Sequence, residues 1–134
     1  KALIDSLLSK NLSITQVVAI SSGASVNGNR GWGGYSISKA ALNMLVKLYA
    51  NERRDIHFAA LAPGLVDTGM QEQIRALPDD VPFPSVAKLK EARATDAMPG
   101  PSTAGQLVLD AIDRLPDLIE SGTFADVRKP PLNA

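Results

Sequence analysis

Apolar residues in this chain fall into two kinds of run, and the two alternate. Leu3, Ile4, Leu7 and Leu8 recur at helical spacing within residues 1–10, KALIDSLLSK, which predicts the last turns of a helix. Residues 16–22 carry the continuous apolar run Val17-Val18-Ala19-Ile20, the mark of a parallel strand covered on both faces. Residues 23–34 hold five glycines and read as a loop. A helix is predicted from about Ser36 to about Arg53, and Ile56-His57-Phe58-Ala59-Ala60-Leu61-Ala62 predicts a second strand, ended by Pro63-Gly64. Strand, helix and strand of these lengths make one parallel crossover of right-handed sense.

The next stretch breaks the rhythm. Residues 65–101 contain five prolines and little periodicity, with short helices expected at 71–77 and 85–94. An irregular insertion of this length in a compact domain is more often a lid or binding loop than a connector. Periodicity returns from about Ser102 to Leu115, where Leu107, Val108, Ala111, Ile112 and Leu115 share one side of a helix. Thr123-Phe124-Ala125-Asp126-Val127 predicts a last short strand. The fold class is therefore α/β with a parallel sheet of about three strands and flanking helices.

Composition narrows the function. A chain of 134 residues suits one domain, and its 14 acidic and 14 basic side chains balance, so nothing suggests nucleic acid or an anionic membrane surface as partner. No apolar run approaches the roughly twenty residues of a membrane helix. There is no cysteine and one histidine, which argues against thiolate or histidine metal centres and fits a reducing, cytoplasmic setting. His57 lies mid-strand and reads as structural or exposed.

The candidate chemistry gathers between Ser21 and Lys39. Tyr35 and Lys39 are four apart at a predicted helix start, hence on one face, and Ser22 ends the strand before them. A free tyrosine titrates near pH ~10, and a neighbouring cation and the positive end of a helix both favour its phenolate. Such a phenol suits acid/base work, with the Ser22 hydroxyl holding a substrate oxygen beside it. A Tyr-x-x-x-Lys pair alone is a weak pattern. However, in parallel sheets the ligand crevice lies beyond the carboxyl ends of the strands, where Ser22 and Pro63-Gly64 both sit.

The set Ser22, Tyr35-Ser36-Ile37-Ser38-Lys39-Ala40-Ala41-Leu42 and Pro63-Gly64-Leu65-Val66-Asp67-Thr68 resembles the short-chain dehydrogenase/reductase family, specifically its C-terminal half. Ile20-Ser21-Ser22-Gly23-Ala24, Gly31-Trp32, Val66-Asp67-Thr68-Gly69-Met70-Gln71 and Glu120-Ser121-Gly122-Thr123-Phe124 are similar to its sepiapterin reductase and benzil reductase branch. The resemblance implies a Rossmann-like doubly wound sheet. It also implies an oxidoreductase that reduces a ketone or dicarbonyl with NADP, or with NAD. Tyr35 would be the general acid, Lys39 would support it and bind the nicotinamide ribose, and Ser22 would orient the carbonyl. Pro63, Gly64, Val66 and Thr68 would shape the nicotinamide site. Trp32, Leu65, Met70 and Phe83 would wall an apolar substrate pocket, with residues 65–101 as the lid. A homo-oligomer built through the helix carrying Tyr35 and Lys39 is implied as well.

Departures from the family pattern are equally informative. The 134 residues contain no strand followed by a G-x-x-x-G-x-G turn, no Asn-Ala-Gly motif and no residue placed to choose between NAD and NADP. The glycines at 23, 28, 31, 33 and 34 precede the Tyr-Lys helix and do not replace a phosphate loop. Residues 1–134 are therefore expected to be the catalytic part of a larger Rossmann domain, without measurable dinucleotide binding by themselves. The alternative is a non-catalytic fragment or a sensor-type relative that only associates with a partner. An intact Ser-Tyr-Lys set favours the enzyme.

Overall fold

The computed structural model describes residues 2–10, 12–78 and 82–133, apart from the side chains of Leu3 and Leu8. Lys1 of the predicted first helix and residues 79–81 of the predicted lid lie outside the described residues. In chain order the elements are α1 (Ala2–Ser9), β1 (Gln16–Ile20), α2 (Gly33–Glu52), β2 (His57–Ala62), α3 (Gly69–Arg75), α4 (Pro84–Ala92), α5 (Pro101–Leu118) and β3 (Thr123–Asp126). A 3₁₀ turn, Gly23–Ser25, follows β1. The strands form one parallel sheet in the order β1-β2-β3, with Val18 beside Ala59 and Leu61 beside Ala125. The architecture is the Rossmann-like α/β fold expected. No helix among the described residues is long and apolar enough to cross a membrane.

Strand alternation splits the core in two. Ala59 and Leu61 of β2 point to one face, where Ala111 and Leu115 of α5, Ala125 and Leu132 complete a buried cluster. Phe58 and Ala60 point to the other, against Val46 and Ala50 of α2, with Ile4 and Tyr49 at the margin. Burying a Leu or Phe side chain fully is worth about 1.5–3 kcal/mol, so Leu61, Leu115 and Phe58 anchor the two layers. The sheet thereby fixes α2 on one side and leaves the carboxyl ends of β1 and β2 facing the same way.

Several boundaries differ from the sequence-based expectation, each for a local reason. α2 starts at Gly33, not Ser36, because the Ser36 N–H closes the first turn on the Trp32 carbonyl at 2.8 Å. β1 ends at Ile20, although the Ser21 N–H still bonds the Leu61 carbonyl at 2.8 Å. Full coverage of β1 is corrected too: Val18 meets one core and Val17 and Ala19 the other, yet the strand is only half-buried. Its outer edge carries no further strand among the described residues. Leu107 is exposed, since it lies about 100° around α5 from Val108, at the outer rim of the Ala104, Ala111 and Leu115 stripe.

α5 also runs past its predicted end, through Pro116 to Leu118. Proline lacks the N–H that would bond the carbonyl four residues back, and so orphans the Ile112 carbonyl. The Gln16 side chain fills that gap: its Nε2 donates to the Ile112 oxygen at 3.1 Å. One side chain of β1 thus satisfies the helix and fastens it to the sheet.

Candidate active site

Tyr35 stands in the first turn of α2 and Lys39 one turn later on the same face. The Lys39 Nζ lies 5.9 Å from the centre of the Tyr35 ring. It also donates to the Ile20 carbonyl at 2.9 Å, and this bond ties the phenol-bearing helix to the end of β1. On its other side Tyr35 meets Trp32 edge-on, with ring centres 5.8 Å apart and planes at 62°. The ring thus has both Trp32 and Lys39 as neighbours.

Ser22 follows β1 in extended conformation, φ −156° and ψ 151°. Its Oγ caps the 3₁₀ turn by accepting the Ala24 N–H at 3.2 Å. Accepting leaves the hydroxyl hydrogen uncommitted to that bond, and available to a substrate oxygen. Around it runs a polar chain. Ser21 Oγ donates to Asn43 Oδ1 at 2.6 Å, Asn43 Nδ2 donates to Ser25 Oγ at 2.8 Å, and Ser25 Oγ donates to the Ser22 carbonyl at 2.7 Å. Sequence reading missed Ser21, Ser25 and Asn43. The available signal was spacing, because Asn43 is the next residue after Tyr35 and Lys39 on the same helical stripe.

Pro63, Gly64, Leu65 and Val66 run half-buried from the end of β2, and Thr68 is exposed at the N-cap of α3 without a side-chain capping bond. Gly64 has φ +81°, and a Cβ there would lie 2.9 Å from Arg128 Cδ, so only glycine suits this position. Arg128 reaches the site from beyond β3, held by Asp126 at 2.9 Å and 2.7 Å. Burial pushes the Asp126 carboxyl up. The hydrogen bonds from Arg128 and the charges of Arg128 and Lys129 outweigh that and leave it below its ordinary value.

The insertion after β2 is braced at its base and docked at its far end. Asp67 binds Arg75 at 2.7 Å, and its N–H bonds the Pro99 carbonyl at 3.0 Å. α3 and α4 pack on each other. At the far end Trp32 Nε1 donates to Ser85 Oγ of α4 at 2.7 Å, and Phe83 lies under Gly31, where a Cβ would come within 2.8 Å of its ring. Of the expected pocket walls, Trp32 thus touches both Tyr35 and α4, Leu65 is half-buried, and Met70 is 54% exposed. An open groove of about 680 Å³ lies between Arg30, Phe83, Val86 and Lys90, with none of Ser22, Tyr35 and Lys39 in its lining.

Comparison with known proteins bears on the family and the fold. The family described as short chain dehydrogenase matches residues 1–79. A benzil reductase ((S)-benzoin forming) of Bacillus cereus is 45% identical over 64 residues, which is 45% of this chain and 26% of the relative. Mus musculus sepiapterin reductase is 33% identical over 110 residues, covering 82% of this chain and 41% of the relative. The crystal structure of a short-chain dehydrogenase/reductase from Saccharomyces cerevisiae superposes with a TM-score of 0.77 at 28% identity, over 96% of this chain and 51% of that one. The chain thus spans from a quarter to about half of the length of these relatives. With the family match covering more than half of its residues, and the parallel sheet carrying Tyr35 and Lys39 in the helix after β1, the chain belongs to the short-chain dehydrogenase family.

Proposed function

We propose that residues 1–134 form the catalytic part of an NAD(P)-dependent carbonyl reductase, with 65–101 as its substrate lid and Tyr35 as the general acid. The observation that carries this reading is the Lys39 ammonium, placed beside the Tyr35 ring and fixed to the strand end that delivers Ser22.

The donor set fits the nicotinamide end of such a cofactor. Lys39 spends one of its three hydrogens on Ile20, and the Thr68 hydroxyl is not used to cap α3. Lys39 would hold the ribose, with Tyr35 beside it. Pro63, Gly64, Val66 and Thr68 would flank the nicotinamide ring and its carboxamide. A bound nicotinamide supplies the hydride that reaches the carbonyl carbon. Ser22 donates its hydroxyl hydrogen to the carbonyl oxygen and holds it toward Tyr35. Tyr35 releases its phenolic proton to that oxygen as charge develops there, and the C=O bond becomes C–H plus O–H. Proton transfer by a positioned group of this kind contributes about 10²–10⁴-fold.

Relatives named for benzil and sepiapterin reduction support an aromatic ketone or vicinal dicarbonyl as substrate, against walls formed by Trp32, Leu65 and Met70. NADPH is the reading adopted, with NADH as the alternative. A homo-oligomer through α2 is supported by its apolar outer stripe, where Ile37 is 71% exposed and Met44, Leu45 and Leu48 stand about half-exposed. A cysteine-free sequence supports a cytoplasmic setting. Calorimetry tests the domain reading: the 134 residues alone should give no measurable NADPH binding, and a micromolar dissociation constant would contradict it. Turnover of a benzil-type diketone and of a simple sugar, each with NADPH and NADH, tests the substrate. A marked preference for the diketone is expected, and a preference for the sugar would overturn that half of the proposal.

A further inference from the structure

We propose that Asn43 is a positioning residue for Ser22, acting through Ser25; the inference rests on the assignment of Ser22, Tyr35 and Lys39 made above. Tyr35, Lys39 and Asn43 stand one turn apart along one stripe of α2. The two residues after Tyr35 on that stripe both grip the chain around Ser22. Lys39 holds the Ile20 carbonyl at 2.9 Å, on the strand side. Asn43 holds Ser21 at 2.6 Å and Ser25 at 2.8 Å, one on each side of Ser22.

The direction of each bond follows from the chemistry of the groups. The Asn43 Oδ1 is taken by the buried Ser21 hydroxyl, so its Nδ2 is the atom that faces Ser25 and must donate. Ser25 Oγ, with a lone pair so occupied, sends its own hydrogen to the Ser22 carbonyl at 2.7 Å. That bond adds to the one the Ser25 backbone N–H makes to the same carbonyl at 2.9 Å, and the two hold Ser22 in the extended conformation in which its Oγ accepts the Ala24 N–H. The hydroxyl hydrogen is then the one group of the side chain left for a substrate oxygen. A carboxamide is the side chain that offers an acceptor and a donor from one planar end, and neither Asp nor Leu at 43 can do both. Linked bonds of this kind strengthen one another and fix a geometry, and a small misplacement of reacting groups is costly in rate.

The test is a mutant cycle in the complete reductase, with turnover, KM and NADPH affinity measured for Asn43→Ala, Ser22→Ala and the double variant. Asn43→Ala should lower kcat by roughly 10- to 100-fold with NADPH affinity unchanged. In the Ser22→Ala background the same change should cost almost nothing further, because its route of action has gone. Ser25→Ala should repeat the loss and Ser25→Thr, which keeps the hydroxyl, should recover it. This second pair reads the relay even where Asn43→Ala does not fold. A full, additive Asn43 loss in the Ser22→Ala background, or a Ser25→Ala variant as active as the parent, would overturn the proposal. Should Ser22→Ala itself leave turnover within a few-fold, the site assignment falls and this inference with it.

Discussion

Lys39 Nζ sits 2.9 Å from the carbonyl oxygen of Ile20, so the helix that presents the phenol is bonded to the strand that presents Ser22. One ammonium thereby serves geometry and electrostatics together, since the same atom lies 5.9 Å from the Tyr35 ring centre. Lys39→Met keeps most of the aliphatic stem and removes both contributions. A fall in kcat/KM on the order of 10²–10⁴-fold is expected in the complete reductase. Lys39→Arg should not restore it, because a planar guanidinium cannot occupy the position of a compact ammonium. Steady-state kinetics of the two variants checks this, and full activity in Lys39→Arg would show that charge alone suffices.

A second expectation concerns Gln16 and Pro116. Removing the Gln16 amide leaves the Ile112 carbonyl without that partner, and because the bond is only part-buried the cost falls at the low end of the roughly 1–3 kcal/mol of a buried group. Gln16→Leu should therefore lower the denaturant midpoint by a corresponding amount at unchanged slope. Pro116→Ala restores an N–H four residues beyond Ile112, and in that background the Gln16→Leu penalty should shrink. Equal penalties in the two backgrounds would show that Gln16 does not answer the missing N–H.

How much of this was legible in the sequence depends on the range of the interaction. Tyr35 and Lys39 could be read because i and i+4 share a helix face wherever the helix packs. The three strands were legible as apolar runs, and their parallel order followed from the helices between them. The extent of α5 was not, because the bond that carries it through Pro116 comes from Gln16, 96 residues away. Asn43 escaped for a similar reason. Its spacing places it on the stripe of Tyr35 and Lys39, but its two serine partners are met only once residues 21–25 fold back across α2. Arg128 over Gly64 likewise joins the middle of the sequence to a residue far along it.

His57 gives a pH dependence whose sign can be worked out. Burial lowers its folded pKa below the ordinary 6.5, and its Nε2 is buried without a hydrogen-bond partner. As pH falls below 6.5 the unfolded chain takes up the proton before the folded one does. Stability is then full above 6.5 and declines as pH drops from there toward the folded pKa. Unfolding midpoints measured from pH 7.5 down to about 5 should show this decline, and His57→Gln should remove that part of it. An unchanged slope in His57→Gln would assign the decline to other groups.

The central claim is that Tyr35 delivers the proton. Tyr35→Phe removes one oxygen and keeps the ring between Trp32 and Lys39, so packing and cofactor binding should survive while proton donation cannot. The direct measurement is carbonyl turnover and NADPH affinity of Tyr35→Phe in the complete reductase. The account requires a loss of at least about 10²-fold in kcat, with the dissociation constant for NADPH within a few-fold of the parent. Turnover within a few-fold of the parent would contradict it.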